Sequence, residues 1–243
     1  MAIMFRSRLG LLSLVMLAMF AALASSASAA IKFQWKVGGN ILQAGETRSF
    51  QISSDGKTFD LHGSVAGAAV LFLSKEIEAT VGSLISGGTP GTNEETVILK
   101  GVTVDNPARC VVESEGSPTG TIRTNLLHTE IVESEETHEP LILFVPKAGT
   151  VFVSLLLLNK STTEPCAVTA PLLANITGTL LAQPLPQLTE VLNQDLDFEA
   201  PTKDFFLSNG TLDTAGLVFA GNAATLTGLA LVTLNTTEKF GAF

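Results

Sequence analysis

The sequence predicts an all-β protein, an antiparallel sandwich or barrel with at most one short helix. Apolar segments of strand length recur along the chain, and turn residues separate them about every 8–12 residues. Threonine, which favours strands over helices, occurs 27 times among 243 residues. The charged fraction is only 15% and the hydrophobic fraction 46%, so the chain has enough apolar residues for a large core.

The N-terminus has the three parts of a secretory signal peptide. Arg6 and Arg8 precede an uncharged apolar run at residues 9–24, and Ala27-Ser28-Ala29 follows as a cleavage motif. The apolar run is shorter than the ~20 residues that span a bilayer, which disfavours an uncleaved anchor. The sequence therefore predicts export.

We expect cleavage after Ala29 or Ala30. The predicted organisation is a signal peptide at residues 1–30 and a single all-β domain at residues 31–243, secreted or retained in the cell envelope.

The charge balance limits the partners. Lys and Arg total 14 against 23 Asp and Glu, a formal charge of −9, which disfavours nucleic acid and acidic membrane surfaces. The C-terminal Phe243 leaves open an outer-membrane-type β-barrel. Such barrels need aromatic girdles, and this chain has one Trp and no Tyr, so membrane embedding is disfavoured.

The first half of the domain shows several strand patterns. Residues 31–37 alternate, with Trp35 and Val37 on one face. Residues 48–53 and 58–62 flank an Asp-Gly turn, which predicts a hairpin with Phe59 and Leu61 facing inward. The remaining predicted strands are residues 68–73, expected to be buried on both faces, and residues 95–105 and 121–127.

The second half begins with another predicted hairpin, residues 141–145 and 150–158 around Pro146-Lys147-Ala148-Gly149. Turns are also predicted at Asn209-Gly210 and Gly221-Asn222. The one segment of helical spacing joins Leu188, Val191, Leu192 and Leu196, where a short helix is possible.

Cys110 and Cys166 are the two cysteines of the chain. An even number in an exported protein favours a disulfide between them. The alternatives are two buried free thiols or a catalytic thiol, for which Arg109 is the adjacent basic residue.

Seven acidic and imidazole side chains cluster in one segment, and two histidines among carboxylates could hold a divalent metal. These residues are His128, Glu130, Glu133, Glu135, Glu136, His138 and Glu139. Their spacing fits no defined metal site, so we expect an exposed, mobile connection that binds no metal selectively. Motifs for nucleotide or other cofactors are also missing, and no cofactor is expected.

Asp195, Asp197 and Glu199 alternate with apolar residues, so in a strand they share one face. Such carboxylates could serve a glycosidase or bind calcium. The solvent side of an outer strand explains them equally well. They are the candidate residues of a carbohydrate-active enzyme, the main enzymatic alternative.

Three motifs carry a resemblance across most of the mature chain. They are Phe33-x-Trp35-x-Val37-x-Gly39 after the signal peptide, Cys110, and Gly120-x-Ile122-x-Thr124-x-x-Leu127. Together they resemble uncharacterised exported bacterial β-rich proteins. The resemblance implies bacterial export and a β fold, and it brings no known activity or functional residue.

The sequence contains no recognisable catalytic constellation. We therefore expect an exported, disulfide-bridged, acidic protein of the cell envelope or medium. It would act by binding or as a structural component and not as an enzyme, with an unidentified ligand.

Overall fold

A computed structural model describes residues 33–80, 83–106, 109–160, 166, 171–199 and 203–243. The signal peptide predicted at residues 1–30 lies outside the described residues. Within them the chain forms strands and no helix, which confirms the all-β prediction.

The strands are numbered in chain order. The first eleven are β1 (Trp35–Val37), β2 (Asn40–Ile41), β3 (Thr47–Ser54), β4 (Phe59–Val65), β5 (Ala68–Ser74), β6 (Glu76–Ala79), β7 (Leu84–Ser86), β8 (Thr92–Glu95), β9 (Val97–Lys100), β10 (Thr103–Asn106) and β11 (Cys110–Ser114). The others are β12 (Ile122–Arg123), β13 (Leu127–Ser134), β14 (Pro140–Pro146), β15 (Val151–Asn159), β16 (Leu172–Leu185), β17 (Asn193–Asp197), β18 (Asp204–Phe206), β19 (Leu212–Thr214), β20 (Gly216–Phe219), β21 (Asn222–Thr227), β22 (Leu229–Leu234) and β23 (Phe240–Ala242).

Eight antiparallel strands close into a barrel. The ladders run in the order β3-β7-β8-β13-β14-β16-β17-β22, and β22 pairs again with β3. Closure leaves no unpaired edge in this ring, so the backbone groups of its strands satisfy one another.

A second sheet runs in the order β10-β5-β4-β21-β20-β16-β15-β11. Strand β16 belongs to both layers. Its first half, through Thr179, pairs with β15 and β20, and its second half, from Leu180, pairs with β14 and β17. One continuous strand therefore connects the barrel to the second sheet.

Two three-stranded sheets contribute apolar side chains to the core. In the sheet β2-β1-β23, Trp35 and Phe240 pack with ring centroids 6.2 Å apart and contribute to the lining of a cavity within the barrel. In the sheet β12-β9-β6, Leu99 and Ile77 face the buried side of the second sheet. Burial of these apolar side chains supplies the main stabilising term.

Alternation explains which face of each strand is buried. In β5, Val70 and Phe72 are almost fully buried, whereas the alternating Leu71 and Leu73 are partly exposed. The prediction that residues 68–73 are buried on both faces is therefore wrong. One face packs into the core and the other lines the outside of the second sheet.

Both hairpins predicted in the chain are wrong in their pairing. Strands β3 and β4 flank the Asp55-Gly56 turn, but β3 pairs with β22 and β7, and β4 pairs with β21 and β5. Likewise β14 and β15 lie end to end along β16 and do not pair with each other. At both turns the chain passes from the barrel to the second sheet.

The two later turns both form hairpins, the first as predicted and the second one residue before the predicted Gly221-Asn222. Strands β18 and β19 pair across the Asn209-Gly210 turn, and β20 and β21 pair across Ala220-Gly221. Two long strands predicted from sequence are divided: residues 95–105 contain the end of β8 together with β9 and β10, and residues 121–127 contain β12 and the first residue of β13.

The short helix suggested at Leu188–Leu196 does not form. Residues 193–197 are strand β17, and Val191 makes an isolated bridge with Phe240. Leu188 and Leu192 are about half exposed, so the leucine spacing does not form a buried helical face.

Candidate functional site

Four polar side chains lie inside the closed barrel and are almost completely buried. Asn93 and Glu95 come from β8, Thr129 from β13 and Gln194 from β17, with exposed fractions of 7%, 2%, 0% and 1%. Asn93 and Thr129 are direct cross-strand partners. Buried polar groups cost free energy unless they find partners, so this cluster is the least expected part of the core.

Each of these side chains leaves one oxygen without a protein partner. Asn93 Nδ2 donates a hydrogen bond to Glu95 Oε1 at 3.1 Å, and Gln194 Nε2 donates to the Pro186 carbonyl at 3.2 Å. The oxygens left over are Asn93 Oδ1, Glu95 Oε2, Thr129 Oγ1 and Gln194 Oε1.

A small cavity of about 20 Å³ lies between three of them. Asn93, Glu95 and Gln194 line it together. The rest of its wall is apolar and consists of Trp35, Phe50, Ile52, Ile85, Ile142, Leu196, Val232 and Phe240. The cavity is therefore a polar spot in a hydrophobic shell.

Burial raises the pKa of Glu95 to about 8, and the hydrogen bond from Asn93 offsets only part of that increase. At neutral pH the side chain is therefore mostly a neutral carboxylic acid. In that form Glu95 can donate one hydrogen bond, which a carboxylate cannot.

Sequence reasoning missed this cluster. The Gly, Pro and Thr residues before Asn93 are typical of a loop, and the sequence pattern places Glu95 at the start of a longer predicted strand. A signal was present, because Glu95 has the same alternating phase as Val97 and Leu99 and so belongs to an apolar face.

The two cysteines are brought together. Cys110 at the start of β11 and Cys166 form a disulfide with their Cα atoms 4.9 Å apart, and both are buried. The Cys166 amide also donates to Asn159 Oδ1 at 2.6 Å. The predicted bridge is confirmed, and it fastens the connection between β15 and β16 to the edge strand β11.

The acidic segment is not the mobile loop expected from its composition. His128, Glu130 and Glu133 lie in β13, a barrel strand paired on both sides, and a turn follows at residues 135–137. His138 Nδ1 lies 2.7 Å from Glu133 Oε1. His128 and His138 are at opposite ends of the strand, so they do not converge.

The inner face of β13 explains why these residues form a strand. Thr129 and Ile131 are fully buried between the outward-facing side chains, and these apolar contacts hold the strand in the ring.

Burial raises the pKa of Glu130, and His128 partly opposes this increase.

Asp195 and Asp197 share the outer side of β17, whereas Glu199 lies beyond the end of this strand, so only two of the three carboxylates share the predicted face. Leu196 and Phe198 are buried. Burial and the nearby Asp55 raise the pKa of Asp195. Glu199 lines a surface cavity of about 160 Å³, whose walls include neither Asp195 nor Asp197. The three carboxylates therefore do not surround one cleft.

The outer side of the second sheet carries an apolar patch, called here the leucine face: Val111, Leu156, Leu158 and Leu173. Leu156 pairs directly with Leu173, and Leu158 with Val111, so all four project from the same side of the sheet. Leu173 is 68% exposed, and the other three are partly exposed.

The surface next to the leucine face is polar, and on the side of β16 and β20 it is uncharged. Ser154 Oγ donates to Asn175 Oδ1 at 2.9 Å, and Thr177 pairs with the exposed Val218. The charged residue nearest in register is Glu113, the partner of Leu156. On the side away from Glu113, Ser154, Asn175, Thr177 and Val218 extend an uncharged region over β15, β16 and β20.

No protein-family model, curated protein or solved structure matches this chain. The described part of the chain has no group of three His, Cys, Asp or Glu side chains arranged to hold a metal ion. Nor does that part contain a helix long and apolar enough to cross a membrane.

Proposed function

We propose that this chain is an exported, non-enzymatic protein of the cell envelope or medium that acts as a binding or structural component. We further propose that its binding surface is the leucine face and that the partner is a second copy of the chain. The observation that carries the proposal is the cross-strand pair of the exposed Leu173 and the partly exposed Leu156.

The distribution of charge on the chain supports a second copy as the partner. The chain carries a formal charge of −9, so two copies repel each other where their acidic residues meet. On the side of β16, the leucine face is bordered by the uncharged Ser154, Asn175 and Thr177, and the charged Glu113 lies on the opposite side, on β11. Two copies can approach there with little repulsion and bury their leucines against each other.

The disulfide supports export. Bonds of this kind persist in oxidising compartments, and Cys110–Cys166 constrains the β15–β16 connection close to the leucine face. The bridge would keep the proposed surface in one conformation outside the cell.

Size-exclusion chromatography with light scattering tests the association, using the mature oxidised chain at several concentrations. We expect a concentration-dependent dimer, and Leu173→Glu should shift the chain to a monomer because it places a charge at the centre of the contact. Leu212→Glu is the matched control, since Leu212 is 54% exposed on β19, outside the leucine face. This control should leave the dimer intact.

A wild-type chain that stays monomeric at high micromolar concentration would overturn self-association. Hydrolysis of a polysaccharide panel, lost on Glu199→Gln with the fold retained, would favour the carbohydrate-active alternative. A mature chain that remains in solution only with detergent would favour the outer-membrane alternative.

A further inference from the structure

We propose that the cavity inside the barrel binds one water molecule, which hydrogen-bonds Asn93, Glu95 and Gln194 simultaneously. This water would be an internal component of the fold. It is independent of the leucine face and of the proposed association.

One water molecule can hydrogen-bond all three unpaired polar groups of the cavity. Asn93 Oδ1 and Gln194 Oε1 are acceptors without a donor, and a water molecule supplies two donors. Glu95 Oε2, when protonated, supplies a donor to the water oxygen. Three unpaired groups therefore become three hydrogen bonds, the usual number for a buried water.

The volume also fits one water. A cavity needs roughly 10–15 Å³ to hold a water molecule, and this one measures about 20 Å³. An empty cavity would be expected only with an apolar wall, whereas this wall contains three polar side chains.

A metal ion fits the same space less well. Calcium takes about six to eight oxygen ligands and magnesium about six, and this cavity offers three unpaired side-chain oxygens. Every other lining residue is apolar, including those contributed by β1, β3, β7, β14, β22 and β23. None of these lining residues is ionisable, so the cavity wall itself offers no charge to stabilise an ionised Glu95.

The experiment combines a high-resolution crystal structure with infrared spectroscopy near pH 6. We expect one water within hydrogen-bond distance of the three oxygens, and a carboxylic-acid carbonyl band that disappears in Glu95→Gln. Glu94→Gln is the matched control: Glu94 is the next residue on β8, is exposed, and pairs with Lys147. The control should retain the band.

Gln194→Met gives a second variant of similar size that removes one acceptor. NMR cross-relaxation between the internal water and the Asn93 side-chain amide should weaken in it, because the water is held by two groups and exchanges faster. Direct contact between Glu95 and Gln194 with no water between them would overturn the proposal. The proposal would also be overturned if Glu95 is ionised and titration with sodium or calcium raises the stability of the protein.

Discussion

Gly228 lies against the ring of Phe59, and a Cβ atom added to this glycine would stand 2.5 Å from Phe59 Cδ1. Gly228 joins β21 to β22, where the chain passes from the second sheet into the barrel. Its carbonyl accepts a hydrogen bond from the Phe198 amide at 3.0 Å, and its φ is +144°. The close contact and the backbone conformation both require glycine here.

Gly228→Ala should therefore lower the free energy of unfolding by about 2–3 kcal/mol, because the Phe59 ring must move within a packed core. Gly216→Ala on β20 is the control, since nothing lies within 4 Å of its added Cβ. The control should change stability by no more than ~0.5 kcal/mol. Urea denaturation measures both, and equal effects would contradict this explanation.

Glu95→Gln should remove a pH dependence of stability. The pKa of Glu95 rises from 4.5 in the unfolded chain to about 8 in the folded one, so the folded state keeps a proton that the unfolded state loses. This contribution is fully present below pH 4.5 and is lost as pH rises to about 8. The slope is at most ~1.4 kcal/mol per pH unit.

The measurement is the free energy of unfolding of both proteins from pH 5 to 8.5. The advantage of Glu95→Gln over wild type should grow with pH and level off above pH 8. Glu94→Gln, at the exposed neighbouring position, should show no such trend. A constant difference between Glu95→Gln and wild type across this range would mean that Glu95 is ionised in the fold.

Thr129→Val should raise stability by about 1 kcal/mol, because the Thr129 hydroxyl is completely buried and has no hydrogen-bond partner. Thr124→Val provides the contrast. Thr124 Oγ1 accepts a hydrogen bond from the Val97 amide at 3.0 Å, so its loss should cost about 1 kcal/mol. Thermal unfolding at one pH compares them, and destabilisation by both would show that Thr129 has a partner.

Replacing Cys110 and Cys166 by serine should lower the free energy of unfolding by up to ~4 kcal/mol, since the bridge restricts the unfolded chain. Protein purified under non-reducing conditions and treated with an alkylating reagent should show no alkylated cysteine by mass spectrometry. Two alkylated cysteines in protein from its native compartment would disprove the bridge.

Secretion should remove the N-terminal segment near Ala29. The basic residues and apolar run of residues 1–30 are expected to direct cleavage after Ala29 or Ala30, which intact-mass measurement of the exported product determines. A product that still begins before Ser25 would contradict the signal-peptide prediction.

Strand positions follow from the sequence better than strand partners do. The inward side chains Phe59 and Leu61 were predicted correctly, because alternation is local. The pairing of β4 with β3 was predicted incorrectly. A turn such as Asp55-Gly56 reverses the direction of the chain, but it does not determine which strand pairs with the next one. Of the two partners of β4, β5 follows directly across the Ala66-Gly67 turn, and β21 lies far away in the chain.

The candidate site shows the same limit. The disulfide could be predicted, because two cysteines allow only one internal pairing. The buried cluster could not, because Gln194 and Glu95 come from opposite parts of the ring and their polar character alone indicates an exposed position. Only closure of the barrel places them in one cavity.

The β3–β22 ladder has a consequence for the timing of folding. Asn235 and Ser49 flank this ladder and hydrogen-bond through their side chains across 186 positions of sequence. The ring cannot close until residues 229–234 have left the ribosome, and contacts of such high sequence separation form slowly. A nascent chain of this kind remains open during synthesis, which is the state that a translocation channel can thread.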